Sequence, residues 1–214
     1  TLELRTEAVS RVLKPHQVVT DRTAAWLHGV DMLTLEEHEL LPPVETCALR
    51  GNTPSRRAAE TTARTRDLAP TDIVEMGPVR VTTPLRTAMD LSCHLRRREA
   101  FAAICLLAGA HDFGRAEMQR ELTRFRGRRG VVQSRELVAL VEPRVESVRE
   151  AWTLLELVSS GLPRPLAQHW VEIDGVPTYR LDFAYPFARV AVEYNGREAH
   201  GGSAQELADA ERLQ

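Results

Sequence analysis

Apolar residues recur every three or four positions over much of the first three quarters of the chain, and this spacing predicts helices. The helical stretches are residues 4–13, 22–30, 84–95, 98–110 and 141–161. Thr20 or Asp21 is suited to cap the second stretch, and Thr83 followed by Pro84 is a strong helix start. The first two helices, joined by residues 14–20, resemble half of a helix-turn-helix.

Short runs rich in β-branched residues indicate strands and divide the chain into two parts. The predicted strands are residues 44–51, 77–83, 167–175, 178–185 and 189–196. Residues 203–214 begin another helix, and the Arg-rich residues 114–135 are expected to be a hinge. We therefore expect an α/β (α+β) fold, with a helical region and short strands over residues 1–135. A mixed sheet flanked by helices is expected over residues 136–214.

The last two predicted strands form a hairpin in which two carboxylates face each other. We assume antiparallel pairing about a turn at residues 187–188. Asp182 then lies opposite Glu193, and on the same face Arg180 lies opposite Asn195. Directly opposed Cβ atoms are about 4.5–5.5 Å apart, and like charges at that distance destabilise a sheet. Either a divalent cation such as Mg²⁺ lies between the carboxylates, or Arg180 neutralises them on a solvated face.

The preceding predicted helix offers a third carboxylate. Glu150 lies beside the main apolar stripe and is followed at helical spacing by Leu154 and Leu157, so it is partly buried if this helix packs on the sheet. Glu146, one turn earlier on a similar side, is the alternative. On its own, either residue fits an ordinary surface glutamate more readily than a metal ligand.

The composition is that of a globular protein without a membrane span. Hydrophobic residues make up 43% and charged residues 27%, and no apolar run approaches the roughly 18 residues that a span requires. The first residues do not form a signal-peptide pattern. Cys47, Cys93 and Cys105 have no CxxC spacing, which argues against a disulfide framework or a zinc site. We therefore expect a cytoplasmic protein that does not bind membranes.

Positive charge is concentrated in two segments. Residues 50–98 carry ten Arg against five acids and residues 115–135 carry seven against two, so each segment has a net charge of +5; residues 136–214 carry seven against thirteen, or −6. Lys14 is the only lysine among 28 basic residues. Guanidinium groups suit bidentate phosphate contacts, although genomic base composition explains the arginine content equally well. The candidate DNA-backbone contacts are Arg124, Arg126, Arg128 and Arg129.

The segment "RLDFAYP…VAVEYNG…H…D…R" resembles the very-short-patch-repair (Vsr)-like branch of the PD-(D/E)XK nuclease superfamily over about residues 145–214. The resemblance implies a restriction-endonuclease-like sheet and a DNA endonuclease or nickase that depends on Mg²⁺ or Mn²⁺, in DNA repair or phage defence. The metal ligands that it implies are Asp182, Glu193 and Glu150. The supporting residues that it implies are His200, Asp209 and Arg212. Two further supporting candidates come from the pattern itself: Arg180 from the hairpin and Glu146 from the helix.

Asn195 stands where this pattern has Lys or Asp. Its amide can offer a carbonyl oxygen to a metal or a water, but it cannot accept a proton at neutral pH. His200 is then the candidate general base, although a histidine beside a Gly-Gly turn is equally compatible with a surface position. The nuclease hypothesis therefore depends on what Asn195 allows.

The stretches "VVTDRTAAWLHGVD" and "GPVRVTTPLRTAMDL" resemble the AbiEi-type antitoxin and transcriptional-regulator family over roughly residues 1–110. Proteins of this type usually begin with a winged helix, which would lie before Thr1. The resemblance implies binding to DNA and to a toxin or other protein partner, and it provides the rival hypothesis of a regulator with a degenerate nuclease fold. Arg86 and Asp90, four positions apart, are interpreted as a helix-surface salt bridge rather than a mark of the family.

Overall fold

The computed structural model describes residues 1–54 and 61–194, and within these residues it has eight α-helices and eight strands. The helices are α1 (Leu2–Ser10), α2 (Asp21–Leu27), α3 (Leu35–Glu39), α4 (Pro84–His94), α5 (Arg97–Ala110), α6 (Arg115–Glu121), α7 (Val131–Leu140) and α8 (Val148–Ser159). The strands are β1 (Gln17–Val19), β2 (Val44–Leu49), β3 (Thr61–Arg66), β4 (Ile73–Met76), β5 (Val79–Thr82), β6 (Leu166–Ile173), β7 (Val176–Tyr185) and β8 (Val190–Val192). The predicted α/β (α+β) class is confirmed.

The first sheet has five strands in the order β3-β2-β1-β5-β4. It is mixed, since β1 pairs antiparallel with β2 and parallel with β5, while β2 and β3 are parallel. The expected helix-turn-helix over the first two helices is wrong, because residues 17–19 form the central strand of this sheet. Val18 and Val19 are fully buried there, as suits β-branched side chains between two neighbouring strands.

The second sheet is antiparallel, in the order β6-β7-β8. Between β7 and β8 the paired residues are Phe183 with Val192, Ala184 with Ala191 and Tyr185 with Val190, so the predicted hairpin register is confirmed. The connection contains a 3₁₀ turn at residues 186–188, and β8 ends at Val192.

One hydrophobic cluster runs through most of the described chain. Its buried members begin at Ala25 in α2, include Met89 in α4 and Phe101 in α5, and continue to Leu154 in α8 and Phe183 in β7. A smaller cluster packs α1 and α2 against the first sheet. The larger cluster therefore packs helices from α2 to α8 against the second sheet, and the first sheet contributes to the smaller cluster.

Local signals start and stop the helices as the sequence predicts. Thr83 Oγ1 accepts a hydrogen bond from the Arg86 backbone N–H at 3.3 Å, and Pro84 is the first residue of α4. Gly161, after α8, has a left-handed φ of +84°. Among the described residues, no helix combines the length and apolar character needed to cross a bilayer.

Candidate functional site

An ion pair is buried on α4. Arg86 and Asp90 lie one turn apart, and each side chain is 1% exposed. Arg86 Nε donates a hydrogen bond to Asp90 Oδ2 at 2.9 Å. The interpretation of this pair as a helix-surface salt bridge is wrong, because α4 contacts α2, α5 and α7 and thereby loses most of its solvent-exposed surface.

Further charged residues from distant parts of the chain reach this pair. Arg66, at the end of β3, donates from Nη1 to Asp90 at 3.0 Å and from Nη2 to both oxygens of Asp21 at 2.8 and 2.6 Å. Asp72, before β4, accepts from Arg86 Nη1 at 2.8 Å. Burial opposes the charge of Arg66, but Asp21 and Asp90 outweigh burial and raise its pKa, so Arg66 stays charged.

Arg124 adds a partly exposed guanidinium to the same set. Its Nη1 and Nη2 donate to the two oxygens of Asp72 at 2.8 and 2.6 Å, and Nη1 also donates to Glu121 at 2.6 Å. Burial opposes the charge of Asp72, but the hydrogen bonds from Arg124 and from the Ala69 backbone lower its pKa. The arginine–aspartate network is defined by these contacts and consists of Asp21, Arg66, Asp72, Arg86, Asp90 and Arg124.

The ring of Phe125 contacts the guanidinium groups of Arg86, in the network, and of Arg128, beside it. Its ring is 1% exposed and lies 5.2 Å from Arg86 Cζ and 4.5 Å from Arg128 Cζ, within the range of cation–π attraction. The closest carboxylate oxygen to Arg128 belongs to Asp90 at 3.8 Å. Burial, followed by the charge of Arg86, lowers the pKa of Arg128.

Arginines from several elements surround a cavity of about 270 Å³ next to the network. We call it the arginine pocket; its arginines are Arg50, Arg64, Arg66, Arg128 and Arg129. Asp67 and Asp90 also line it, so five arginines against two aspartates give +3. His94, another lining residue, adds little charge at neutral pH because burial and the charge of Arg66 lower its pKa.

The arginine–aspartate network and the arginine pocket lie entirely between Asp21 and Arg129. Residues 17–140 match the family model of the AbiEi antitoxin C-terminal domain. The chain belongs to this family. The resemblance of residues 1–110 is therefore confirmed, and both features fall inside the AbiEi domain.

The AbiEi chain is similar to two uncharacterized proteins of Mycobacterium tuberculosis, from strains CDC 1551 / Oshkosh and ATCC 25618 / H37Rv. Each is 36% identical over 131 residues, which cover 61% of this chain and 48% of the relative. The chain thus spans about half the length of these curated relatives. No solved structure matches it, and no match supports the Vsr-like resemblance of the C-terminal part.

The four predicted DNA-contacting arginines of the AbiEi domain have different environments. Arg124 belongs to the network, and Arg128 contacts Phe125 while its Nη2 donates to the Asp67 carbonyl at 3.4 Å. Arg126 and Arg129 are exposed, and within the described part of the chain neither has a hydrogen bond or an ion pair. Arg126 and Arg129 are therefore the two that remain open to an external anion.

Glu150, the predicted helix carboxylate, is 8% exposed and lies in the first turn of α8, whose N-cap is Ser147. Its Oε1 accepts from Ser147 Oγ at 2.8 Å, and its Oε2 accepts from the Glu146 backbone at 3.1 Å and from Gln168 Nε2 at 2.9 Å. Gln168 has a left-handed φ of 51° and interrupts the pairing of β6 with β7. The contacts of Glu150 thus join the start of α8 to Gln168 of the second sheet.

The hairpin places the other predicted residues as follows. The confirmed register puts Glu193 opposite Asp182, just beyond the last residue of β8. Asp182 Oδ2 accepts from the Tyr194 backbone N–H at 3.0 Å. Arg180 donates from both Nη atoms to Glu146, each at 2.8 Å, so its ion-pair partner is a glutamate that lies just before α8 and not within the helix as predicted.

A metal centre does not follow from these contacts. Both oxygens of Glu150 already accept hydrogen bonds, and no group of three or more His, Cys, Asp or Glu side chains within residues 1–54 and 61–194 is arranged to hold a metal ion. Asn195, His200, Asp209 and Arg212 lie outside the described residues. The roles assigned to all of these residues stay predictions.

The arginine pocket is the feature that sequence reasoning missed. A signal was present in α4, where Arg86 and Asp90 stand among the apolar residues Leu85, Met89 and Leu91 of the predicted helix. A charged pair at helical spacing within an apolar face indicates a buried, mutually neutralised pair. The other arginines come from β3 and from the loops after β2 and α6, and their convergence depends on the fold.

Proposed function

We propose that this chain is part of a DNA-binding regulator of the antitoxin type. Membership of the AbiEi antitoxin C-terminal domain family supports the class. The observation that carries DNA contact is the pair of exposed arginines, Arg126 and Arg129, in the loop before α7 and without an internal acceptor among the described residues. Guanidinium groups of this kind bind backbone phosphates and release counterions.

The proposed contact is to the DNA backbone and not to base edges. Arg126 and Arg129 lie beside the network, in which Arg124 is already held by Asp72 and Glu121. The network therefore fixes the loop that presents the two exposed arginines but does not itself supply free cations. Phosphate contacts position a protein on the duplex without reading its sequence.

The test is duplex binding by fluorescence anisotropy over a series of salt concentrations. We expect the Arg126→Gln, Arg129→Gln double variant to bind random-sequence DNA more weakly and to lower the slope of log K against log salt by about 1.8, since each lost phosphate contact contributes about 0.9. Arg98→Gln is the matched control, because Arg98 is exposed and pairs with Glu156 on α8. An unchanged slope in the double variant would refute the DNA-contact proposal.

We also propose a protein toxin as the partner of the chain, as the description of the family as an antitoxin indicates. The test is co-purification of the tagged chain with the product of the adjacent gene, followed by growth rescue when the two are co-expressed. If the product of the adjacent gene neither co-purifies with the chain nor inhibits growth, this partner is excluded.

A metal-dependent endonuclease is the second candidate function. The observation that favours it is the hairpin register: its last pair is Phe183 with Val192, and Asp182 and Glu193 are the next two facing positions. We expect such an enzyme to relax supercoiled plasmid in Mg²⁺ or Mn²⁺, and Asp182→Ala to abolish relaxation while Glu172→Ala, an exposed carboxylate change on the same sheet, leaves it intact. Plasmid that stays supercoiled with the unaltered chain, together with no Mg²⁺ binding by calorimetry, would remove this candidate.

A further inference from the structure

We propose that the arginine pocket and the cavity next to it form a binding site for a nucleoside phosphate, with the phosphate groups among the arginines. This inference shares Arg129 with the proposed duplex contact, but it does not involve Arg126, and it depends on Arg64, which that contact does not use. It rests on the net charge of the pocket, on a buried guanidinium nitrogen without an acceptor, and on the composition of the adjoining cavity.

The charge of the pocket favours a multiply charged anion. Arg64 is exposed and has no hydrogen bond or ion pair within the part of the chain that the structure describes, and the same holds for Arg129. Both line the cavity together with Arg128, whose pKa is lowered by burial and by the charge of Arg86. A phosphate group would supply the acceptor that Arg64 and Arg129 lack, and it would add negative charge beside Arg128, whose carboxylate partner is Asp90 at 3.8 Å.

A second signal is Arg86, which does not line the pocket but contacts two residues that do. Arg86 is 2% exposed, and its Nη2 is buried with no hydrogen-bond partner among the described residues. Its other contacts include Asp90 and Phe125, and both of these residues line the pocket. An unsatisfied charged donor is costly in a protein interior, and an anion in the neighbouring pocket would offset part of its positive charge.

The adjoining cavity suits a sugar. It measures about 240 Å³ and shares Arg64 and His94 with the arginine pocket. Its lining contains the carboxylates of Asp21 and Glu45 and the side chains of Thr46 and Thr62. Carboxylates accept hydrogen bonds from ribose hydroxyls, as they do in dinucleotide-binding folds.

The sizes of the two cavities support joint occupancy. Small-molecule sites usually measure about 300–1,000 Å³, so each cavity alone is smaller than a typical site. Because they share two lining residues, a ligand with a phosphate end and a hydroxyl-bearing end can occupy both. A nucleoside diphosphate has this arrangement.

The experiment is isothermal titration calorimetry of the whole chain with ADP, 2′-deoxy-ADP, pyrophosphate and adenosine. We expect ADP to bind most tightly, pyrophosphate and 2′-deoxy-ADP more weakly, and adenosine not measurably. Arg64→Gln should weaken ADP binding by about tenfold or more, since it removes a charge-assisted hydrogen bond. Arg98→Gln, the same change on a remote exposed face, should leave ADP binding unchanged.

The remaining outcomes separate the alternatives. If ADP and pyrophosphate bind with equal affinity, the adjoining cavity does not hold the sugar. If the Arg64→Gln variant binds ADP as tightly as the unaltered chain, the arginine pocket does not hold the phosphate groups. Binding of a 5′-phosphorylated oligonucleotide without binding of ADP would overturn the small-ligand proposal in favour of a nucleic-acid end. Arg126→Gln should alter duplex binding alone, so failure of the DNA proposal leaves this one standing.

Discussion

Removal of the Asp90 carboxylate should destabilise the protein strongly. Asp90 is 1% exposed, and its Oδ2 accepts hydrogen bonds from two buried guanidinium groups, Arg66 at 3.0 Å and Arg86 at 2.9 Å. In Asp90→Ala both donors lose this acceptor while they remain charged and buried. The perturbation therefore tests whether the arginine–aspartate network is a structural requirement of the fold.

Two routes give a similar magnitude for Asp90→Ala. Each hydrogen bond to a charged group contributes about 1.5–3 kcal/mol, and two are lost. Breaking a buried ion pair from one side costs about 3–5 kcal/mol, because the partner charge stays buried. Domains of this kind have unfolding free energies of about 5–15 kcal/mol, so the loss is a large fraction of the total. The melting temperature should fall by about 6–20 °C.

The assay is urea unfolding followed by circular dichroism, supported by thermal melts. Asp90→Asn should give a smaller loss because the amide oxygen still accepts a hydrogen bond. Glu136→Ala is the control, since its pair with Arg97 is about half exposed and should contribute only about 0–1 kcal/mol. A loss below about 1 kcal/mol for Asp90→Ala, equal to that of Glu136→Ala, would refute the argument.

Three further predictions concern a glycine, a histidine and the thiols. Gly130→Ala should lower the free energy of unfolding in urea by at least about 1–3 kcal/mol, because residue 130 has a φ of +82° and a Cβ there would press against the Cys93 carbonyl. An unchanged free energy of unfolding in this variant would contradict the prediction. Burial lowers the pKa of His28, so the folded state binds fewer protons than the unfolded state. The free energy of unfolding should therefore fall as the pH decreases below about 6.5, by up to about 1.4 kcal/mol per pH unit. His28→Asn should flatten this dependence in melts between pH 7.5 and 5.5, and an unchanged slope would exclude His28 as a source. Burial raises the pKa of Cys47 and of Cys105 to about 12, so native-state alkylation followed by mass spectrometry should modify only Cys93, and early labelling of the other two would contradict their burial.

The sequence predicts those parts of the fold that depend on neighbouring residues. The start of α4 follows from Thr83 and Pro84, whose capping contact is formed within three residues. The hairpin register follows from strict alternation and a short turn, and it places Asp182 correctly relative to Phe183 and Val192. Both predictions needed only information contained in about a dozen consecutive residues.

Features that depend on distant residues could not be predicted in the same way. The strand Gln17–Val19 has three residues and is stabilised by β2 and β5, so its own sequence contains little strand signal. Arg86 and Asp90 satisfy the spacing of a surface salt bridge, and only the packing of α4 against neighbouring helices shows that they are buried. The arginine pocket combines residues from 50 to 129, and charge counting found the arginines but not their convergence.

The hydrophobic cluster that extends to Phe183 bears on where this protein can be shortened. The family match ends at residue 140, but Ala151 and Leu154 of α8 belong to the same cluster as Phe101 of α5. A chain cut at residue 140 would expose that side of α5 to water, and we expect it to aggregate or to bind a hydrophobic dye. For this protein, the boundary of the recognisable sequence family and the boundary of cooperative unfolding are different places on the chain.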